Sequence, residues 1–172
     1  LLLVLGSIPA ALAALFFLDA FESLFANLFA VGVGFIVTAL ILLLSRLRRG
    51  KDDVGWRTAL AMGIFEALAL VPGISRSGST ISSGLFFGVE KEKVFRFAFL
   101  LSIPAIIAAT AVEMIKTPSI ILDPASVAAT VVAAVVGYVA IRLVKRFVIS
   151  DRFYLFAIYC IALGLAVIVF AL

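Results

Sequence analysis

Five long uncharged runs constrain the fold of this chain more than any other feature of its sequence. They cover residues 1–18, 23–45, 97–112, 124–141 and 153–172. A helix needs about 20 predominantly apolar residues to cross the hydrocarbon core of a bilayer. The chain is 65% hydrophobic and 14% charged, whereas a soluble domain is about 25% charged. The sequence therefore predicts an all-α integral membrane protein, a polytopic helical bundle forming a single transmembrane domain over residues 1–172.

A further apolar segment, residues 57–90, is interrupted in its middle. Glu66 and Arg76 break the run, and Pro72 with Gly73 would end a helix between them. Each arm is about 14 residues, or ~20 Å at 1.5 Å per residue, which is too short for a full crossing. Two short helices around a Pro-Gly break predict a re-entrant helical hairpin. Its irregular tip must line a protein or water-filled cavity, because lipid cannot satisfy the backbone there.

The distribution of charge supports the hairpin. If the segment returns to the side from which it enters, all but two of the 14 basic residues fall on one side of the membrane. The exceptions are Lys116 and Arg76, which lies at the hairpin tip. Because Lys and Arg favour the cytoplasmic side, we expect a multi-pass plasma-membrane protein, with Asp19, Glu22 and Asp123 outside. The residues on the basic side are Arg46, Arg48, Arg49, Lys51, Arg57, Lys91, Lys93, Arg96, Arg142, Lys145, Arg146 and Arg152.

Arg76 is the most informative residue of the hairpin. An arginine at the bilayer centre costs at least ~2.5–3.5 kcal/mol on insertion scales, so a partner is expected. The partner is either Glu66, in a structural ion pair, or an anion, since a guanidinium matches two phosphate oxygens at once. The second arm is expected to begin near residues 77–80, and helix starts bind phosphate through free N–H groups. The predicted substrate-binding set is Arg76, Ser77, Gly78, Ser79, Thr80 and Gly73, and the predicted catalytic set is Arg76, Ser75 and Ser77.

The serines and Glu66 each allow more than one interpretation. Any single serine could instead cap a helix. Glu66 could ligate a divalent cation, act as a base, or neutralise Arg76. The chain has no histidine and one cysteine, Cys160. Membrane acid phosphatases that depend on histidine are therefore disfavoured, and Cys160 is interpreted as a small buried hydrophobic residue.

A stripe of small residues marks the fourth uncharged run. Ala125, Ala129, Ala133 and Gly137 recur every four residues and so share one face of a helix. Small residues let neighbouring helices approach closely in a membrane. The stripe therefore predicts helix–helix packing, without any further function.

The string PGISRSGST, preceded by GIFEALAL, resembles the second motif of the undecaprenyl-diphosphate phosphatases, the bacitracin resistance (BacA) family. SIPAALAALFFLD, FAFLLSIPA and FAIYCIALG support a resemblance over essentially the whole chain. The resemblance implies hydrolysis of undecaprenyl diphosphate to the monophosphate, which recycles the lipid carrier for cell-wall synthesis, and bacitracin resistance. It also implies a divalent metal, Mg²⁺ or Ca²⁺, and an inverted-repeat fold in which two re-entrant hairpins meet. Its phosphate site corresponds to Arg76, flanked by Ser75, Ser77, Gly78 and Thr80.

One departure from the family pattern shapes the remaining expectations. The first motif of the family, a Glu-rich helix leading into a Pro-x-Ser-Ser-x-Gly-His turn, has no match here. Its glutamates, serine and histidine would precede Leu1, so the chain is expected to be a fragment that is inactive alone. The expected partners are the membrane and a polyprenyl diphosphate, without nucleic acid; a homodimer is left open. The rivals are a transporter that binds an anionic substrate at a discontinuous helix, and a channel or assembly subunit in which Arg76 and Glu66 form a structural pair.

Overall fold

The computed structural model describes residues 1–46, 50–116 and 124–172, which form seven α-helices and one isolated β-bridge. The helices are α1 (Leu2–Phe25), α2 (Leu28–Leu44), α3 (Trp56–Leu68), α4 (Arg76–Phe86), α5 (Lys91–Lys116), α6 (Pro124–Ile149) and α7 (Leu155–Ala171). By length and composition α1, α5 and α6 can each cross a membrane, while α2 and α7 are apolar helices of 17 residues. Each predicted span thus corresponds to a helix, and the all-α polytopic membrane fold is confirmed.

The middle of the chain forms the predicted re-entrant hairpin. Its arms are α3, with 13 residues, and α4, with 11, joined by a tip at residues 69–75. The outer ends of the two arms meet: the N–H of Asp52 donates to the carbonyl of Gly88 (3.2 Å), and the N–H of Glu90 donates to the carbonyl of Asp52 (3.0 Å). The segment therefore enters and leaves at the same end of the bundle.

That end, termed here the basic end, gathers the charged loops. The contacts that define it are Lys91–Asp151 (2.6 Å), Lys93–Asp53 (2.6 Å), Lys145–Glu92 (3.1 Å) and the Arg46 guanidinium, 4.1 Å from the centre of the Tyr154 ring. At the opposite end Lys116 pairs with Glu22 at 3.2 Å. This arrangement agrees with the charge distribution that predicted the hairpin; Arg48, Arg49 and Asp123 lie outside the described residues.

The hairpin is packed into the centre of the bundle. α1 packs on α3, α2 packs on α7, and α4 lies against α2, α3 and α5. All residues from 78 to 85 of α4 are buried, although half of them are Ser or Thr. Some of these hydroxyls bond back to their own helix: Thr80 Oγ1 donates to the carbonyl of Arg76 (2.9 Å), and Ser83 Oγ donates to the carbonyl of Thr80 (2.9 Å). A polar helix is thereby accommodated among apolar neighbours.

The small-residue stripe does not pack as predicted within the described chain. Ala125, Ala129 and Ala133 are exposed, and a Cβ added to Gly137 would meet nothing within 4 Å. The prediction of helix packing through this stripe is wrong for the contacts in this structure. The reason is the position of α6, which meets α5 near the basic end, where Lys145 pairs with Glu92.

Candidate active site

Two close backbone contacts hold the hairpin tip against α2. Gly73 has a φ of +85°, in the left-handed region that favours glycine. A Cβ on Gly73 would collide with the carbonyl oxygen of Val31, and a Cβ on Gly34 would collide with that of Pro72. Both glycines are therefore needed for the tip to approach the helix this closely.

Thr38 fastens the tip to α2 with two hydrogen bonds. Its Oγ1 donates to the carbonyl of Gly73 (2.8 Å) and accepts from the N–H of Ser75 (2.9 Å), and the residue is fully buried. These bonds satisfy backbone groups of the irregular tip, which lipid could not satisfy. Sequence reasoning missed Thr38. The available signal was a single hydroxyl within an otherwise apolar helix, a position where polar side chains usually have a partner.

The second arm begins at Arg76, three residues after Gly73, with Ser75 as its N-cap. Ser75 Oγ accepts from the N–H of Gly78 at 3.1 Å, and the Ser75 carbonyl accepts from the N–H of Ser79 at 2.8 Å. The predicted start near residues 77–80 is therefore slightly too late. With the cap at Ser75, the backbone N–H groups of Arg76 and Ser77 have no hydrogen-bond partner among the described residues. They are the free donors of a helix start.

The Arg76 side chain crosses from one arm of the hairpin to the other. Its Nε donates to Glu66 Oε1 at 2.8 Å, and its Nη2 donates to the same oxygen and to the carbonyl of Ser102 (3.2 Å). The Glu66 side chain is 2% exposed, whereas that of Arg76 is 31% exposed. Glu66 Oε2 is buried and has no partner in the described part of the chain. The ion pair, one of the two interpretations left open by the sequence, is thus present, and the Arg76 side chain is still partly exposed.

The chain is similar in sequence to known proteins over nearly its whole length. The family described as "Bacitracin resistance protein BacA" matches residues 1–166. The chain belongs to this family. Three relatives of this BacA-family chain are the proteins named undecaprenyl-diphosphatase in Methanothermobacter thermautotrophicus (43% identical) and Elusimicrobium minutum (38%), and undecaprenyl-diphosphatase 3 in Frankia casuarinae (38%). The alignments cover 99%, 99% and 96% of the chain, and 99%, 67% and 62% of the respective relatives.

The structure of this BacA-family chain places the predicted site residues in two groups. Arg76, Ser75, Ser77, Gly73 and Glu66 meet at the tip, where Ser77 is exposed. Gly78, Ser79 and Thr80 are buried in the packing of α4, and Ser79 Oγ has no partner among the described residues. In the first group Arg76, Ser75 and Gly73 are partly exposed, whereas Glu66 is buried, and a role for the group in ligand binding stays a prediction. For the second group, a role in phosphate binding stays a prediction.

The described residues offer few ligands for the divalent metal that the resemblance to the BacA family implies. The described residues contain no group of three acidic, Cys or His side chains placed to hold an ion. Glu66 Oε2 is a single free carboxylate oxygen, whereas Ca²⁺ takes six to eight oxygen ligands and Mg²⁺ an octahedral set. The described residues do not fit a metal site by themselves. Mg²⁺ or Ca²⁺, with Glu66 as a ligand, stays a prediction.

Proposed function

We propose that this chain holds the diphosphate in an undecaprenyl-diphosphatase, which hydrolyses undecaprenyl (polyprenyl) diphosphate to the monophosphate and inorganic phosphate. The observation that supports this proposal most strongly is the start of α4 in a BacA-family chain. There a partly exposed arginine, two free N–H groups and an exposed serine hydroxyl lie at the tip of a membrane hairpin. The product would re-enter the lipid-carrier cycle that serves cell-wall synthesis.

The charges at the tip suit a phosphate group that gains negative charge during reaction. The N-terminus of α4 carries the positive end of the helix dipole, equivalent to about half an elementary charge. Arg76 adds a full positive charge beside it. Donors that are already oriented stabilise developing charge without reorganising. The Arg76 and Ser77 N–H groups, the Arg76 guanidinium and the Ser77 hydroxyl are such donors.

Glu66 gives Arg76 a partner when the phosphate is absent. An arginine at this depth without a counter-charge would be costly, and Glu66 Oε1 accepts from two of its nitrogens. A bound diphosphate would share the guanidinium with the carboxylate. Glu66 therefore positions Arg76, while its second oxygen is buried without a partner among the described residues.

The test is phosphate release from a polyprenyl diphosphate by the whole gene product, purified in detergent, with added Mg²⁺ or Ca²⁺ and with a chelator. Arg76→Ala and Arg76→Lys are compared with the control Arg57→Lys, an exposed arginine of the basic end. We expect both Arg76 variants to lose about 100-fold or more in kcat, because lysine has no bidentate fork. Near-normal turnover by Arg76→Lys would refute the phosphate-holding role of Arg76. Turnover in the presence of the chelator would refute the requirement for a divalent metal.

A transporter of an anionic substrate is the second candidate, because the hairpin also supplies the discontinuous helix on which transporters bind anions. Folded protein that releases no phosphate, yet moves a diphosphate across proteoliposomes, would favour this alternative. The homodimer left open by the sequence also stays a prediction. Its measurement is the mass of the protein in detergent.

A further inference from the structure

A groove of about 390 Å³ lies beside the hairpin tip, between α2, α4, α7 and the basic end of α6. Its polar end consists of Ser75 and Ser77, with Gly78 next to them. The rest of its wall is apolar and largely aromatic; the residues used below are Phe35, Leu42, Val144, Phe153, Phe156 and Cys160. We refer to it as the apolar groove.

The apolar groove is continuous with the start of α4. Ser75 and Ser77 line it, and they stand beside the same N-terminus that is proposed to hold phosphate. The ligand that suits such a cavity is amphipathic, with an anionic head at the serines and a hydrocarbon chain beyond them. Phosphate alone would leave the aromatic wall uncovered, and a plain hydrocarbon would leave the free N–H groups of Arg76 and Ser77 unmatched.

The groove and the ion pair lie on different sides of α4. Arg76 reaches towards Glu66 on α3 and the Ser102 carbonyl on α5, while the groove is formed with α2 and α7. A chain lying in the groove would thus approach the tip from the α7 side. Its head group could then meet the helix start without displacing the side chain of Glu66.

The groove runs from the tip towards the basic end. Phe35 is next to Gly34, which contacts the tip, and Leu42 lies seven residues further along α2, or ~10 Å at 1.5 Å per residue. Phe153 and Val144 continue the wall towards the loops of the basic end. Phe153 and Phe156 stack edge to face with ring centres 5.8 Å apart, which fixes this wall. A hydrocarbon chain held here would extend along the helices, as the chains of the bilayer do.

We propose that the apolar groove binds the isoprene units of the substrate that are nearest its diphosphate, an inference that rests on the proposed function. An apolar cavity of about 150 Å³ holds one benzene molecule, so the groove accommodates roughly two to three five-carbon units. The remainder of the chain would leave past Tyr159, whose side chain is exposed. Groove contacts would therefore select the chain nearest the head group rather than its full length.

The first experiment maps the chain without requiring hydrolysis. Purified protein is irradiated with a farnesyl diphosphate carrying a diazirine on its chain, and the labelled peptides are identified by mass spectrometry. We expect labels on the α2 peptide with Phe35 and on the α7 peptide with Cys160, displaced by unlabelled polyprenyl diphosphate. Labels spread over α1 and α6, or labels displaced equally by phospholipid, would overturn the proposal, the second result indicating a bilayer acyl chain instead.

The second experiment narrows the groove. Cys160→Phe adds bulk inside it, whereas Ile158→Phe adds similar bulk on the outward face of the same helix, where Ile158 is 64% exposed. We expect Cys160→Phe to raise the half-saturating concentration of farnesyl diphosphate about tenfold or more, as misfits in apolar pockets do. The half-saturating concentration of inorganic diphosphate, which has no chain and is measured as a competitor, should change less than about twofold, and Ile158→Phe should alter neither value. An equal increase in the half-saturating concentrations of both diphosphates would refute the binding of isoprene units in the groove.

Two further readouts separate the possible failures. Val144→Phe narrows the groove from α6 and replaces Cys160→Phe if that variant unfolds. Groove labelling without any phosphate release would support chain binding in the groove and refute the proposed hydrolase function. Phosphate release that depends on Arg76, without groove labelling, would refute the groove alone.

Discussion

Arg76 and Glu66 join the two arms of the hairpin through a hydrogen bond of 2.8 Å between Nε and Oε1, and the two partners differ sharply in exposure. The Glu66 side chain is 2% exposed and that of Arg76 is 31% exposed. The carboxylate is thus enclosed by protein, while the arginine side chain is partly exposed. This asymmetry predicts different consequences for removing each partner.

Single and double replacements of this pair separate a structural role from a functional one. Arg76→Leu leaves a buried carboxylate unpaired, so we expect a loss of about 3–5 kcal/mol in unfolding free energy. Glu66→Leu leaves a partly exposed guanidinium unpaired, so its loss of unfolding free energy should be smaller. The double variant should recover most of the stability. Chemical denaturation in detergent measures these values. The double variant should still lack phosphate release; normal release would reduce the pair to a structural contact.

Thr38→Val tests whether α2 fixes the tip. The substitution keeps the shape of the side chain but leaves the Gly73 carbonyl and the Ser75 N–H without their partner, which costs about 1–3 kcal/mol. Because the tip is displaced, kcat should fall about tenfold or more. Thr130→Val is the matched control: its exposed hydroxyl bonds within α6, to the Ser126 carbonyl at 2.8 Å. Equal stability and turnover in both variants would contradict the fastening role.

Gly34→Ala tests the close approach of the tip to α2. The added methyl group meets the Pro72 carbonyl and the Gly73 backbone. We expect a net destabilisation, since such overpacking costs about 1–3 kcal/mol, more than the roughly 0.5–1 kcal/mol that alanine contributes to a helix. Gly137→Ala, with open space around its Cβ, should be neutral or stabilising. Thermal unfolding compares the two, and a stabilised Gly34→Ala would show that the tip does not need this contact.

The two serines at the start of α4 should respond differently to alanine. Ser75→Ala removes the N-cap and should lower the unfolding free energy by about 1 kcal/mol. Ser77 is exposed and its hydroxyl bonds to none of the described residues, so Ser77→Ala should change stability by less than about 0.5 kcal/mol. It should nevertheless raise the KM for the diphosphate about tenfold, the effect of losing a hydrogen bond to a charged group. An unchanged KM would remove Ser77 from the site.

The features of the fold that depend on local sequence were largely predictable. The uncharged runs, the Pro72–Gly73 break and the one-sided basic residues predicted the helices and the hairpin, because a bilayer fixes helix length and charge position directly. The start of α4 was predicted slightly too late, since several serines in a row can each serve as the cap and only the packed backbone selects Ser75. The stripe on α6 failed because small residues show that a close approach is possible and do not supply the neighbour.

By itself, the sequence determined that this protein lies in a membrane, that its middle segment turns back at Pro72–Gly73, and that an arginine stands at that turn. These features follow from composition and local chemistry, which act on each segment separately. The tertiary structure decided that Arg76 pairs with Glu66, that Thr38 holds the tip, and that an apolar groove opens beside Ser75 and Ser77. Those contacts join residues 10 to more than 80 positions apart. They depend on how the helices pack against one another, which no single segment specifies.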